Sequence, residues 1–367
     1  MNFIDLEAQY KQLKTKIDSR INDVLSHGKY IMGPEVFELE EKLGEFTGVK
    51  HVITCANGTD ALTLAMMALD IGPGDAVFCP TFTFFASAET IAFSGATPVF
   101  VDSDEFTFNI CSVDLENRIL SIIDEGKLNP KAIVSVDLFG LPANYDEITQ
   151  IADKYDLKII EDAAQGFGGA IKDKKAGSFG DIATTSFFPA KPLGCYGDGG
   201  AIFTNNDEYA ELIRSYRVHG KGSNKYDNVR VGLNSRLDTI QAAILLEKLT
   251  AFPAELERRN AVAESYSSKL NKELLIPTVP NNYYSSWAQY TVRSTMRDIY
   301  IEKFKLEGVP VMVYYNKCMH EQTAFQHLGY KKGDFPVAET LSKQVLSLPI
   351  SGYINEHDLA LVIKASY

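Results

Sequence analysis

The sequence predicts an α/β protein with a mostly parallel sheet in a large domain and a smaller C-terminal α+β domain. From about residue 50 to residue 205, short β-branched runs alternate with amphipathic helical stretches. Several of the strand runs are continuously apolar, which is typical of a sheet that is covered on both faces. After residue 238 the alternation ends, and a long helical stretch begins.

The alternation places each element between turn signals. Strands are predicted at 51–56, 76–80, 98–102, 132–138, 158–162, 184–188 and 201–204. Helices are predicted at 59–69, 86–93, 145–155 and 208–217. Residues 6–46 are predicted as two helices separated at Gly33-Pro34, and a helix from 239 to about 270 is expected to be interrupted at Pro253. We therefore expect a large domain at 1–245 and a small domain at 246–367.

Composition narrows the class of protein. The 367 residues include 36 Lys and Arg against 48 Asp and Glu, a net charge of −12. Nucleic-acid binding depends on clustered positive charge, so this balance argues against it, although a local basic patch stays open. The first residues carry no basic and apolar signal pattern, and polar residues interrupt the most apolar long stretch. We expect a cytoplasmic protein that is not embedded in a membrane.

The sequence lacks the motifs of several familiar enzyme classes. The five cysteines lie far apart without a C-x-x-C pair, which argues against a disulfide framework or a zinc cluster. The sequence contains no G-x-S-x-G elbow, Walker A loop, complete G-x-G-x-x-G or H-E-x-x-H. These absences count against a hydrolase, an NTPase, a Rossmann dehydrogenase and a zinc enzyme, and we expect no metal site.

The segment Asn57-Gly58-Thr59-Asp60 is a candidate phosphate site. It follows a predicted strand and opens a predicted helix, where backbone N–H groups and the helix dipole favour an anion and Thr59 adds a hydroxyl. An Asn-Gly turn followed by a Thr or Asp N-cap would explain the same residues.

Two further segments carry candidate chemistry. Asp162 ends a predicted strand, and ligands of open α/β sheets bind at such ends; alternatively, Asp162 caps the next element and Glu161 is solvated. Lys191 lies just beyond another strand in an apolar, Pro-bounded segment, where desolvation would lower its pKa and make it a candidate Schiff-base lysine rather than a surface charge. The glycines of 197–200 either let the backbone approach a cofactor or form a plain turn.

These three segments together resemble the DegT/DnrJ/EryC1/StrS sugar aminotransferases. The residues that carry the resemblance are Asn57-Gly58-Thr59-Asp60, Glu161-Asp162-Ala163-Ala164-Gln165 and Ser186-Phe187-Phe188-Pro189-Ala190-Lys191, and the likeness extends from His27 to Pro349. The resemblance implies fold type I, the aspartate aminotransferase-like fold, and pyridoxal 5'-phosphate (PLP) as the cofactor.

The resemblance also implies a role for each site residue. Lys191 would hold the cofactor and move the proton, and Asp162 would pair with the pyridine nitrogen. Gln165 would address the ring's phenolic oxygen, and Phe84 would stack on the ring. The phosphate would be held by Gly58, Thr59 and Ser186, with Asn234 of a neighbouring copy reaching it across a homodimer interface.

The resemblance implies a nucleotide-linked keto-sugar as acceptor and L-glutamate as donor, which leaves 2-oxoglutarate. Within the family, 193–204 and 230–238 look closest to enzymes that aminate C3 of UDP- or dTDP-sugars for surface polysaccharide such as O-antigen or capsule. Arg236 is the candidate for a substrate anion, because a guanidinium suits carboxylate and phosphate.

The C-terminal part departs from the family pattern. Tyr314-Tyr315-Asn316 replaces His-Tyr-Pro, and Cys318-Met319 replaces the proline-leucine before His320. Tyr314, Tyr315 and His320 are expected to face the substrate, so a different sugar or a relaxed pocket would follow. A C4 aminotransferase, a PLP- or pyridoxamine-phosphate-dependent sugar dehydratase and a non-catalytic regulator on the same fold stay open as alternatives.

Overall fold

A computed structural model describes residues 1–224 and 226–367. The helices are α1 (Leu6–His27), α2 (Pro34–Thr47), α3 (Gly58–Ala68), α4 (Phe85–Phe93), α5 (Ser112–Glu125), α6 (Tyr145–Tyr155), α7 (Asp207–Tyr216), α8 (Thr239–Lys269), α9 (Arg297–Leu306), α10 (Pro336–Gln344) and α11 (Glu356–Ala365). The strands are β1 (His51–Cys55), β2 (Asp75–Pro80), β3 (Thr97–Val101), β4 (Asn129–Val136), β5 (Lys158–Asp162), β6 (Ala170–Ile171), β7 (Lys174–Lys175), β8 (Ile182–Ser186), β9 (Gly200–Thr204), β10 (Tyr283–Tyr284), β11 (Tyr290–Arg293) and β12 (Val345–Leu348).

The large sheet has seven strands in the order β1-β9-β8-β5-β4-β2-β3. The pairs from β8 to β3 are parallel, whereas β9 runs antiparallel to both β8 and β1. The sheet is therefore mixed and mostly parallel, as the sequence predicts. Parallel strands end at one edge, so the chain segments that follow β2, β4, β5 and β8 lie close together.

Both faces of this sheet are buried. Consecutive residues of β5 point to opposite faces, and Ile159 and Ile160 belong to two different apolar clusters. Ile160 packs with residues of α3 and α4, whereas Ile159 packs with residues of α5 and α6. The predicted two-sided cover explains why these strands are continuously apolar.

Side-chain caps fix where several helices begin. Asn144 accepts a hydrogen bond from the Glu147 N–H at the start of α6, and Asn206 accepts from Glu208 and Tyr209 at the start of α7. Helix α6 has the predicted bounds, and α3, α4 and α7 begin one residue before the predicted positions. Helix α5 was not predicted from the sequence, although its buried residues Leu115 and Ile119 have helical spacing.

The long helix α8 corrects one expectation. It continues through Pro253 without a break, whereas an interruption was predicted there. Proline removes one helical hydrogen bond, but Phe252 and Leu256 are buried in a core cluster on either side of it and hold the helix together. Helix α8 runs past the proposed boundary at residue 245, so the division into two domains stays a prediction.

The C-terminal part has its own core. Strands β11 and β12 pair antiparallel, and Tyr266 of α8 packs with Tyr290, Phe304 and Leu346 in one apolar cluster. Across the described residues 1–224 and 226–367, no helix combines the length and apolar character needed to cross a membrane.

Candidate active site

A cavity of about 710 Å³ opens at the carboxyl ends of the parallel strands. The part of the chain before α8 contributes the start of α3, the segment after β2, the ends of β4, β5 and β8, and Lys191. Ile4 from the N-terminus and three residues of the C-terminal part complete the wall: Gln289, Tyr314 and Tyr315. The cavity therefore lies where an open α/β sheet binds its ligands.

Lys191 lies in the turn after β8 and lines this cavity. Its backbone N–H donates to the Phe188 carbonyl oxygen over 2.8 Å, which fixes the turn. Burial lowers the pKa of the Lys191 ammonium, and the charge of Asp162 partly opposes this shift. A lowered pKa increases the fraction of neutral, nucleophilic amine. Lys191 thus has the surroundings of a reactive lysine, not of an open surface charge.

Asp162 ends β5 with its carboxylate held from two sides. The Ser87 hydroxyl donates to Oδ2 over 2.8 Å, and the Ala164 N–H donates to Oδ1 over 3.2 Å. Burial raises the pKa of Asp162, whereas these two hydrogen bonds and the charge of Lys191 lower it. The hydrogen bond from the Ala164 N–H matches the alternative role of Asp162, a cap of the element that follows. Asp162 also lines the cavity, so it combines both positions. It can therefore present a fixed carboxylate to a buried cationic group.

Glu161 precedes Asp162 and faces the opposite side of the sheet. The alternative of a solvated Glu161 is wrong, since the residue is 0% exposed. Its carboxyl group accepts from the Gly177 N–H at 2.6 Å and the Phe179 N–H at 2.7 Å. Burial raises the pKa of Glu161, and the charge of buried Asp137 raises it further. Glu161 thereby anchors the segment between β7 and β8.

The turn before α3 brings helix N–H groups to the cavity wall. Asn57, rather than Thr59 or Asp60, is the N-cap, and its Oδ1 accepts from the Asp60 N–H over 2.8 Å. A Cβ at Gly58 would lie 2.7 Å from the Cβ of Ser186, so only glycine allows this close approach. The first N–H groups of a helix have no partner within the helix. At the start of α3 these groups lie beside the hydroxyl-bearing residues Thr59 and Ser186, an arrangement that favours an anion.

The glycine run at 197–200 serves the same turn. A Cβ at Gly200 would lie only 2.5 Å from the Asn57 carbonyl oxygen. Gly200 pairs with Cys55 in the sheet, so the end of β1 and the start of β9 together fix the position of the turn. The structure shows that Gly200 allows close approach to the cavity turn, and approach of these glycines to a cofactor stays a prediction.

Aromatic and amide groups form the rest of the wall. Gln165 accepts from the Phe139 N–H over 2.7 Å through Oε1 and donates from Nε2 to the Tyr315 hydroxyl over 3.1 Å. The rings of Phe84 and Tyr315 are 6.2 Å apart. Burial raises the pKa of Tyr315, so its hydroxyl stays protonated. Tyr314 lines the cavity next to it.

Three predicted site residues lie away from this cavity. His320 is 4% exposed; its Nδ1 lies 2.7 Å from the Thr81 hydroxyl, and burial lowers the pKa of its ring. His320 joins the segment after β2 to the C-terminal part and is not among the residues that line the cavity, so its contact with substrate stays a prediction. Asn234 is exposed and pairs with Val218, and Arg236 lines a separate open pocket of about 950 Å³.

The cavity also contains residues that sequence reasoning missed. Ser87 holds Asp162, and its signal is weak because it lies inside an apolar helix. Ile4 and Gln289 also line the wall. No local pattern indicates them, because they come from distant parts of the chain and only the fold brings them to the cavity.

The geometry suits a pyridoxal phosphate. The phosphate matches the start of α3 with the hydroxyls of Thr59 and Ser186, and a protonated pyridine nitrogen matches the buried carboxylate of Asp162. The aldehyde carbon of the cofactor matches the amine of Lys191, whose pKa is lowered. The donor set therefore complements the cofactor at each end.

Comparisons with known proteins agree with this geometry. The sequence profile of the DegT/DnrJ/EryC1/StrS aminotransferase family matches residues 11–366. Over 366 residues the chain is 46% identical to the UDP-2-acetamido-2-deoxy-3-oxo-D-glucuronate aminotransferase of Pseudomonas aeruginosa, covering 100% of this chain and 99% of the relative. It is 40% identical to a pleiotropic regulatory protein of Geobacillus stearothermophilus, over 98% and 96% of the two chains. A DegT DnrJ EryC1 StrS aminotransferase structure from Brucella abortus superposes with a TM-score of 0.97 at 50% identity, covering 100% and 98%.

Fold and site together define a PLP-dependent aminotransferase of fold type I. The chain belongs to the DegT/DnrJ/EryC1/StrS aminotransferase family, and it is a nucleotide-sugar aminotransferase that uses pyridoxal 5'-phosphate. Further relatives are named as transaminases of UDP- or dTDP-linked 3-amino sugars.

Proposed function

We propose that this protein transfers the amino group of L-glutamate to C3 of a UDP- or dTDP-linked keto-sugar. The observation that carries the proposal is that Lys191 and Asp162 line the same cavity, where the charge of Asp162 acts on the Lys191 ammonium. The relative from Pseudomonas aeruginosa, whose name specifies a 3-oxo sugar, supports C3 as the aminated position. We further propose a cytoplasmic role in the synthesis of surface polysaccharide such as O-antigen or capsule.

Lys191 and Asp162 would have different roles toward the cofactor. PLP, when bound, supplies an electron sink for the bond that breaks at the amino-bearing carbon. Lys191 would hold the cofactor in the resting enzyme, and its freed Nζ would carry the proton to and from that carbon. Asp162 would keep the pyridine nitrogen protonated, a task for which Ser87 and Ala164 orient its carboxylate.

The remaining cavity residues would position the cofactor. Gly58, Thr59 and Ser186 would hold the phosphate with backbone N–H groups and hydroxyls. Phe84 would cover one face of the ring. Gln165 would lie near the ring oxygen, with its amide fixed by Phe139 and Tyr315.

We propose a homodimer in which Asn234 of one copy reaches the phosphate site of the other. Asn234 is exposed and lies outside the cavity of its own chain. Tyr30, Ile31 and Val231 are 47%, 49% and 89% exposed, and such apolar exposure favours an interface between protein chains. Arg236 would bind a phosphate or carboxylate of the substrate or donor from the same loop.

A glutamate-dependent amination assay tests the proposal. The purified protein with PLP is given glutamate and a panel of UDP- and dTDP-linked 3-keto and 4-keto sugars, and products are identified by mass spectrometry and NMR. We expect a 3-amino sugar together with 2-oxoglutarate. A 4-amino product would show C4 chemistry, and a deoxygenated sugar formed without glutamate would show a dehydratase.

A spectral titration tests the remaining alternative, a regulator. The 40% identity to a regulatory protein favours this second candidate. A regulator would either take up no cofactor or bind it without conversion by glutamate. We expect the PLP absorbance of this protein to be lost on addition of glutamate, and an unchanged spectrum would contradict an enzymatic function.

A further inference from the structure

Gln289 connects the C-terminal part to the catalytic cavity. It lies immediately before β11 and lines both the large cavity and a separate small one of about 20 Å³. Its backbone N–H donates to the Phe139 carbonyl oxygen over 3.3 Å. The N–H of the same Phe139 binds Gln165. One residue thus fixes the backbone of Gln289 and the amide of Gln165, so Gln289 has a defined position in the wall.

The side-chain amide of Gln289 brings an unsatisfied buried polar atom to this wall. Its Oε1 is buried, and no described residue donates to it. The small cavity is also lined by Thr107, Ser285 and Thr291, and its volume suffices for one water molecule. In the arrangement that we infer, Oε1 accepts from a water in this small cavity and Nε2 donates into the catalytic cavity.

The charge of the cavity determines which ligand suits this donor. Among the described residues that line it, Lys191 is the only cationic side chain, whereas Asp60, Asp162 and Asp198 are acidic. An amide N–H is neutral and binds a hydroxyl or carbonyl oxygen well. Both ends of the Gln165 amide are already hydrogen-bonded, whereas Oε1 of Gln289 has no described donor, so the Gln289 amide is available to a substrate.

We propose that Gln289 selects the acceptor by donating a hydrogen bond from Nε2 to an uncharged oxygen of the sugar ring or its acyl group. This assignment rests on the proposed function, because it requires a sugar in the cavity. It makes Gln289 a specificity residue for the sugar half of the reaction, with little effect on the glutamate half.

The test measures the two half-reactions separately in the PLP-loaded enzyme. Stopped-flow absorbance follows the reaction with glutamate and, independently, the reverse reaction with a UDP- or dTDP-linked 3-amino sugar. Gln289→Leu removes both hydrogen-bonding ends, and Gln289→Glu keeps the size but replaces the donor. Gln326→Leu makes the same chemical change at an exposed residue as the matched control.

We expect either Gln289 variant to lower kcat/KM for the amino sugar about tenfold, the effect of one lost hydrogen bond to substrate. The glutamate half-reaction should stay within about twofold of the wild type, and isothermal calorimetry should show weaker binding of the amino sugar. Gln326→Leu should match the wild type in all three measurements.

Two outcomes would overturn the assignment. Equal losses in both half-reactions would show that Gln289 only supports the wall, and no loss in either would show that it does not touch the sugar. Failure of the proposed function is recognised differently: the wild type itself would react with glutamate but with no nucleotide amino sugar, or would not react with glutamate at all, and the assignment of Gln289 would fall with it.

Discussion

The cavity around Lys191 and the loop pocket at 218–236 differ in electrostatic character. The cavity is partly enclosed and carries three acidic side chains with one described cation. The loop pocket is open, and among its described lining residues are Lys221, Arg230 and Arg236 but no carboxylate. Lys191 and Asp162 thus lie apart from the cationic side chains of the loop pocket within one chain. A substrate with a diphosphate needs both, which supports our proposal that two copies complete each site.

The largest effect is expected from removing the reactive amine of Lys191. Lys191→Ala should lower glutamate-dependent amination at least about 10³-fold, because no other cation lies in the described cavity wall to move the proton. Turnover of keto-sugar and glutamate is the measurement. Lys42→Ala, a change at an exposed lysine that pairs with Glu45, should leave the rate unchanged. A Lys191→Ala enzyme that still turned over would refute the assigned chemistry.

The second test removes the negative charge of Asp162 from the cavity. Asp162→Asn keeps the shape but removes the charge that would hold a proton on the pyridine nitrogen, so we expect kcat to fall about 100-fold. Steady-state kinetics measures it, and Asp173→Asn, at an exposed acid, is the control. An Asp162→Asn enzyme with wild-type kcat would show that the carboxylate is structural.

The third test asks whether the loop serves the other copy. Asn234→Asp should lower activity about tenfold or more, because a carboxylate would repel the phosphate. Co-expression with Lys191→Ala should restore about a quarter of wild-type activity, since half of the dimers are hybrids with one intact site.

Asn205→Asp is the control for the added charge, because an aspartate keeps the acceptor for the Lys50 N–H. If the co-expressed pair stayed no more active than the mean of its parents, Asn234 would not act across an interface.

A smaller effect concerns pH. Burial lowers the pKa of Lys191, whereas Glu45 raises the pKa of exposed Lys42. The neutral amine of Lys191 thus forms at lower pH, and in cofactor-free protein a small acylating reagent should modify it at lower pH than Lys42. Mass spectrometry of peptides gives both profiles from one sample. Coincident profiles would mean that the cavity does not desolvate Lys191.

Local patterns predicted the elements that carry the chemistry. Strand β5 has the predicted bounds, Asp162 ends it and Lys191 lies beyond β8 as expected, because these signals lie within a few neighbouring residues. The continuous helix through Pro253 and the burial of Glu161 were not predictable in this way. Both depend on packing partners that are distant in the sequence.

Residues from the C-terminal part show the same limit at the site. Tyr314 and Tyr315 line the cavity, but His320, only five residues after Tyr315, turns away and lies 2.7 Å from the Thr81 hydroxyl. The motif indicated the segment but not the direction of each side chain. Gln289 belongs to no motif, and only its buried, unpartnered Oε1 in the folded chain draws attention to it.

Reduction with borohydride tests the central claim most directly. The protein is purified with PLP, reduced, digested and mapped by mass spectrometry. We expect one cofactor adduct per chain on the peptide that contains Lys191, and its loss in Lys191→Ala. An adduct on another lysine, or none in protein that is folded and saturated with PLP, would contradict the assignment of Lys191 as the residue that holds the cofactor.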